Sequence, residues 1–284
     1  MRVSLDFMGL LGVKGKDAVD FLQGQFTCDV KTVSPSISVF GAHANPQGRL
    51  FSVFKLFLKD DTYLMQLPLQ SVESAKAALA KYKVFYKSSL EDKSAIYKRI
   101  GYIDESPTCV STLPDATHNC VTEGDFTVLY WEGKTPRYEV IAPAPSAASI
   151  TTPDSEQAWY LQDIQMGYPQ IYPDTLETFL PHFLNLKELG ALNFKKGCYT
   201  GQEIIARMEY LGKLKQKMYY AQVHTSQLPL PGDTLFTDEK TIGTVVDAVQ
   251  EKNIVHMLVV LPIELPVTLI FLDELYTIPV RIST

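Results

Sequence analysis

Apolar side chains at Ala18, Phe21 and Leu22 share one face of a short helix over 16–24, with Gly24 placed to stop it. The pattern then changes. Between Val39 and Leu67 it predicts a strand meander, with the Asn45-Pro46-Gln47-Gly48 stretch as a tight turn. Phe51, Val53, Lys55, Phe57 and Lys59 alternate with Ser52, Phe54, Leu56 and Leu58, so both strand faces carry apolar groups. Asp60-Asp61 turns the chain into Tyr63–Leu67, and Ser71 opens a second helix through Ala75, Ala78, Leu79 and Tyr82. Residues 95–144 read mostly as strands with polar turns at Glu123-Gly124-Asp125 and Glu132-Gly133-Lys134, and 143–153 as an exposed connection. Asp154, three residues before Gln157, has capping-box spacing for a helix carrying Trp159 and closed by Gly167. After an irregular stretch over 168–198 comes a helix from about Gly201 to Leu211. Beyond Lys217, five short apolar runs (218–223, 241–249, 254–261, 267–272 and 276–282) predict a small β-barrel.

Composition narrows the class. The chain has 284 residues, enough for two domains or three small ones at about 100–200 residues each. Apolar residues make up 46% and charged residues 20%, which excludes a disordered chain. The most apolar stretch, 254–272, is broken by His256, Pro262, Glu264 and Pro266, short of the roughly 20 clean residues a membrane span needs. The N-terminus has an acid at Asp6 and does not read as a secretion signal, so the cytoplasm is expected. Cys28, Cys109, Cys120 and Cys198 form no closely spaced pair, so no sequence-local metal site is predicted. Cys28 and Cys120 are expected to be core thiols, and Trp159 a core anchor.

Lys195-Lys196-Gly197-Cys198-Tyr199-Thr200-Gly201-Gln202-Glu203 carries the clearest chemistry. Thr200 and Glu203 have the spacing of a capping box, Ile204, Met208 and Leu211 make an apolar stripe, Gly212 suits a left-handed stop, and Glu203 and Arg207 are paired four apart. Cys198 then precedes a helix N-terminus, where the helix dipole and Lys195–Lys196 favour a thiolate. Such a thiol suits nucleophilic, redox or metal-handling work; the alternative is a buried structural cysteine. From 187 to 217 seven Lys and Arg face three Glu, a net +4, leaving −10 for the rest of the chain. The patch could meet an anion or be only a solvated helix face.

At these residues the sequence resembles the YgfZ family of folate-binding proteins, relatives of the glycine-cleavage aminomethyltransferase. Lys196 to Glu203 matches its K-G-C-[FY]-x-G-Q-E signature without departure. Phe21-Leu22-Gln23-Gly24-Gln25 with Thr27 and Asp29, Pro46-x-Gly48-Arg49, Leu184-Asn185-Leu186 through Leu189-Gly190-Ala191, Ala206-Arg207 and Gly212-x-Leu214-Lys215 extend the match. The resemblance implies an α+β, aminomethyltransferase-like folate-binding module of two interleaved subdomains over 1–212, with a C-terminal β-barrel over 213–284. It implies tetrahydrofolate or a one-carbon derivative in a central cavity, with Cys198 as the key thiol on that cavity. Lys196, Gly197, Tyr199, Gly201, Gln202, Glu203, Arg49, Arg207 and Tyr168 are the expected folate-binding residues. It further implies work in iron–sulfur cluster assembly or repair, with client enzymes or assembly proteins as partners and an indirect effect on tRNA-modifying enzymes.

The sequence departs from the aminomethyltransferase. No Asp lies between Asp61 and Asp92, where the transferase handles its amine, and Pro181-His182-Phe183 stands where it holds the pterin with an acid. Folate binding without glycine-cleavage chemistry is expected, because proton transfer lacks a positioned carboxylate. The alternative is a folate-dependent one-carbon transferase on another acceptor. Direct tRNA contact is disfavoured by the acidic remainder of the chain. His182 reads as a hydrogen-bonded structural histidine or a ligand contact. Tyr168, Tyr172 and Tyr199 read as pterin-stacking rings or core, and Arg49 as a fork for the folate glutamate or a surface arginine.

Overall fold

The structure, a computed structural model, describes residues 1–238, 240–265 and 269–283. The chain starts in one sheet with β1 (Arg2–Ser4) and enters another with β2 (Met8–Lys14). It continues through α1 (Ala18–Gln23), β3 (Val39–Ala44), β4 (Leu50–Lys59), β5 (Thr62–Pro68), α2 (Val72–Lys83) and β6 (Ser89–Asp92). It then returns to the first sheet with β7 (Tyr97–Ile103), β8 (Cys120–Glu123), β9 (Phe126–Trp131) and β10 (Arg137–Pro143). The sheet orders are β3-β4-β5-β2-β6 and β1-β7-β10-β9-β8. Because β1 belongs to the sheet completed last, the two halves are interleaved in sequence.

The apolar groups on both faces of β4 have a simple cause. Phe54 and Leu56 pack with Phe21, Leu22, Val72 and Leu79 under α1 and α2. Phe57, with Leu10 and Leu64, meets Leu129, Trp131 and Ile141 of the sheet that β1 begins. The β4–β5 turn is made by Asp60 and Asp61, both at positive φ (48° and 58°), the conformation that tight hairpins require. Trp159, 1% exposed, anchors α3 (Gln157–Met166), and Gly167 closes that helix in the left-handed conformation. Asp154 does not cap α3. Its Oδ2 accepts from the Arg2 backbone N–H at 2.8 Å, tying the connection to β1, and the Ser155 hydroxyl accepts from Gln157 N–H instead.

After α4 (Gln202–Tyr210), the segment 212–215 is irregular and leads into a closed barrel. Its strands are β11 (Gln216–His224), β12 (Thr234–Phe236), β13 (Thr241–Glu251), β14 (Ile254–Pro262), β15 (Ile270–Phe271) and β16 (Pro279–Ser283), in the order β11-β14-β13-β12-β15-β16 with β16 closing on β11. The three-residue β12 is too short to show an alternating pattern. Residues 267 and 268 of the expected 267–272 strand lie outside the described residues, and its described part pairs only over Ile270–Phe271. The last strand starts at Pro279 rather than Tyr276, because the Asp273 carboxylate accepts from the Thr277 and Ile278 N–H groups and holds a turn there. Among the described residues no helix is long and apolar enough to cross a membrane.

Candidate functional site

The segments that carry the family resemblance converge on one knot of hydrogen bonds. The Gln23 side chain donates to Asp29 Oδ1 (2.9 Å) and accepts from Val30 N–H (2.8 Å), shaping the loop after α1. The Thr27 hydroxyl donates to the Ala191 carbonyl (2.7 Å) and accepts from Ala42 N–H (2.9 Å), joining that loop to the 189–191 turn and to β3. Thr200 N–H donates to the Gly24 carbonyl, and its hydroxyl to Gln25 Oε1. Asn193 Oδ1 accepts from the Lys195 and Lys196 N–H groups.

Lys196 locks the knot. Its side chain is turned inward, and its ammonium donates to the carbonyls of Gln23 (2.8 Å), Phe26 (2.6 Å) and Cys28 (2.8 Å), at the negative end of α1. Burial pulls its pKa down to about 8, so it remains a cation at neutral pH. The expectation that this charge stands beside the Cys198 thiol is therefore corrected: three carbonyls claim it, and the Tyr199 ring lies 5.0 Å away. The expected capping box is also absent. Gly201 is the N-cap at φ +82°, and a Cβ there would lie 2.5 Å from the Asn45 carbonyl oxygen. Close approach to the 45–48 turn thus dictates glycine at this position. Gln202 takes over the local satisfaction, accepting from Tyr199 N–H at 3.2 Å.

Glu203 and Arg207 do pair at 3.0 Å, on the solvent face of α4. The apolar stripe is rolled by one residue: Ile205 is buried, Leu211 is 84% exposed, and the helix ends at Tyr210. Glu209 clamps the helix to the preceding segment, bonding Lys187 Nζ (2.6 Å) and His182 Nε2 (3.3 Å). His182 is buried and hydrogen-bonded; burial lowers its pKa against the pull of Glu209. Arg49 donates to the Thr178 carbonyl at the surface.

The knot displays one thiol. Cys28 and Cys120 are buried, Cys109 is partly covered, and Cys198, between exposed Gly197 and buried Tyr199, is exposed. Burial pushes the Cys28 thiol up to about 12 and the Cys120 thiol up to about 11. A limiting amount of iodoacetamide on the native protein is expected to modify Cys198 first, with Cys28 and Cys120 reacting only after denaturation. Peptide mapping by mass spectrometry checks the order.

A cavity of about 360 Å³ lies at the junction of the two sheets and the 188–190 turn. Phe40 and Tyr168 stack on its wall (centroids 5.2 Å apart, planes 9° apart), and Trp131 meets both rings edge-on. Lys55 is buried on the same wall, donating to the Tyr130 carbonyl at 2.6 Å with its ammonium 4.0 Å from the Trp131 ring centre. Desolvation lowers its pKa to about 7, opposed by buried Glu139, whose own carboxyl is pushed up to about 7. Exposed Glu132 and Glu188 complete the lining. Of the residues expected at a ligand site, only Tyr168 lines this cavity; Cys198 and its signature neighbours do not. Glu132 and Glu188 border the cavity from turns far apart in sequence. Phe40 and the two glutamates escaped notice because nothing local marks them. Lys55 carried a signal, a lone charge between Phe54 and Leu56 within a long apolar strand.

Known proteins place this arrangement. No family model matches the chain. The tRNA-modifying protein YgfZ of Colwellia psychrerythraea is 32% identical over 254 residues, covering 85% of this chain and 76% of that one. The YgfZ of Photorhabdus laumondii is 31% identical over 265 residues, covering 88% and 80%. The chain belongs to the YgfZ family. Among solved structures, the glycine cleavage system aminomethyltransferase T from Bartonella henselae superposes with a TM-score of 0.66 at 13% identity, over 100% of this chain and 84% of that one. That likeness establishes a shared fold, so YgfZ membership and the aminomethyltransferase fold hold together in this chain. The signature of the family resemblance maps onto the knot, with its exposed thiol.

Proposed function

We propose that this chain is a cytoplasmic tetrahydrofolate-binding accessory protein acting in iron–sulfur cluster assembly or repair, and so affecting tRNA-modifying enzymes indirectly, with Cys198 as its key thiol. The observation that carries the reading is the display of Cys198: buried Lys196 and half-buried Thr200 and Gly201 hold an exposed sulfur on a braced loop, while Cys28 and Cys120 are buried. The cavity suits a pterin ring, or that of a one-carbon derivative. Its volume falls in the ordinary range for small ligands, about 300–1,000 Å³, its wall is a stacked aromatic pair, and it offers both an ammonium and carboxylates. In this reading residues 1–212 form the folate module, with the pterin against Tyr168 and its polar edge toward Lys55, Glu132 and Glu188. Iron–sulfur client enzymes or assembly proteins meet the Cys198 loop.

Titration with tetrahydrofolate under reducing conditions is expected to quench Trp131 emission, because Trp131 packs edge-on against the Phe40 and Tyr168 rings of the cavity wall. Tyr168→Ala should weaken binding at least tenfold, and Cys198→Ala should leave it unchanged while lowering cluster-enzyme activity in cells. Absence of tetrahydrofolate binding refutes the ligand, and unchanged cluster-enzyme activity in the Cys198→Ala strain refutes the role of the thiol.

A second reading, a folate-dependent one-carbon transferase, is favoured by the shared fold together with Glu132 and Glu188, which could move protons at the cavity rim. It requires consumption of methylenetetrahydrofolate with an amine or thiol acceptor, and a loss of that turnover in Glu132→Gln or Glu188→Gln.

A further inference from the structure

A second cavity, of about 270 Å³, opens where α3 meets the barrel, away from both the Cys198 loop and the pterin-sized cavity. Its walls include Tyr160, Tyr172, Leu228, Leu230, Asp247 and Gln250. Asp247 is 4% exposed. Its placement depends on an irregularity in β13. Val245 faces the barrel interior with Leu235 and Val259, whereas Val246 and Val249 face the folate-module side with Ile164 and Ile171. Strict alternation after Val245 would send Asp247 back into the apolar barrel. A bulge between Val245 and Asp247 shifts the register and turns the carboxyl out to Tyr172.

There it ends a short chain of hydrogen bonds. Tyr172 donates to Asp247 Oδ2 at 2.7 Å, and Ala248 N–H donates to Oδ1 at 2.9 Å. The Tyr160 and Tyr172 hydroxyls are 2.9 Å apart. With the Tyr172 proton given to the carboxylate, Tyr160 donates to Tyr172, and its remaining lone pair is free to accept from a ligand. The carboxyl has hydrogen bonds but no counter-ion. Among the described residues no Lys, Arg or His lies within 4 Å of it or lines the cavity. The charged neighbour that bears on it is another acid, Asp163, which is paired with Arg137 at 2.8 Å. A buried carboxylate without a cation is unstable unless it is neutralised or partnered. Walls of tyrosine, leucine and proline around a single negative site suit a cation carried on an apolar body.

We propose that this cavity binds a small organic amine as its ammonium ion, with the charge at Asp247 and the Tyr160 hydroxyl and the apolar body against the 228–231 loop. The site is independent of folate binding and of Cys198. Burial pushes the Asp247 carboxyl up to about 7, and a cation bound beside it would favour the carboxylate.

Ligand-observed NMR and calorimetry on the full chain at pH 7.5, with 2-phenylethylammonium, 2-phenylethanol and phenylacetate as probes, test this. The ammonium is expected to bind at least tenfold more tightly than the isosteric alcohol, and the carboxylate not at all. Asp247→Asn should reduce ammonium binding at least tenfold and leave the alcohol unaffected. Leu230→Lys, at a position 64% exposed where substitution leaves the core intact, puts a like charge at the rim and should also weaken ammonium binding. Equal affinity for ammonium and alcohol, no binding of the ammonium, or undiminished ammonium binding by a folded Asp247→Asn or Leu230→Lys protein overturns the proposal.

Discussion

Lys196→Met is expected to lower the stability of the folded protein by roughly 3–5 kcal/mol, because it removes the donor to three converging carbonyls while keeping the apolar stem. The Gln23, Phe26 and Cys28 carbonyls all accept from one ammonium that is almost fully enclosed. Nothing in methionine replaces it. For a chain of this size, at about 2–4 °C per kcal/mol, the melting temperature should fall by roughly 10 °C. Lys196→Arg should recover only part of the loss, since a flat guanidinium cannot aim three donors at a single focus. The local consequence is distinctive. With the lock gone, the 23–28 and 193–200 loops part, so the Asn193 and Thr200 amides should exchange faster with solvent and buried Cys28 should become open to alkylation. Thermal melts, hydrogen exchange and thiol mapping read these effects separately. A Lys196→Met protein within about 1 kcal/mol of the parent would show that the ammonium does not hold the knot.

The parts of this molecule that depend on neighbours in sequence were legible in advance. The α1 face, the Val39–Leu67 meander, the Gly167 stop and the barrel follow from local periodicity and turn chemistry. Strand β2 was not legible. Met8–Lys14 is buried almost throughout, so no polar face marks it, and its Gly9 reads as loop. That glycine is needed because α2 packs so closely that a Cβ would lie 2.3 Å from Val72 Cγ2. The capping predictions failed for the same kind of reason. Asp154 and Thr200 have the right spacing, but Arg2 and Gln25, more than 150 residues away in sequence, engage their side chains. At the candidate site, the signature stretch forms the knot and carries the exposed Cys198, but Lys196 turns inward to three carbonyls and Cys198 does not line the cavity. The cavity, assembled from β3, β4, β9 and two turns, had no sequence-local trace except Lys55.

Asp247→Asn is expected to stabilise the protein above pH 7, and the sign follows from the direction of the shift. The carboxyl is raised in the folded state from 3.8 to about 7, mainly by burial. The folded protein therefore holds its proton over a range in which the unfolded chain has released it, and stability falls as pH rises from about 4 to about 7, then levels off. Ionising the buried group opposes folding by roughly 2–4 kcal/mol on the alkaline side. The groups facing it are Tyr172 and Tyr160, both pushed upward themselves by burial, and Asp163, so no nearby cation offsets the effect. The amide can still accept from one of its two present donors and carries no charge. Urea denaturation of both proteins from pH 4 to pH 8.5 should show curves that nearly coincide at the acid end and diverge toward pH 7, with the asparagine variant the more stable. Parallel curves would mean that Asp247 does not ionise in this range. A charge that weakens the fold near neutral pH, is aimed by a bulge and opens onto a cavity has the character of a functional group held against stability. On the amine-binding proposal, 2-phenylethylammonium at pH 8 should recover part of the difference for the aspartate protein and none for the asparagine variant, because the ligand supplies the counter-ion that this chain omits.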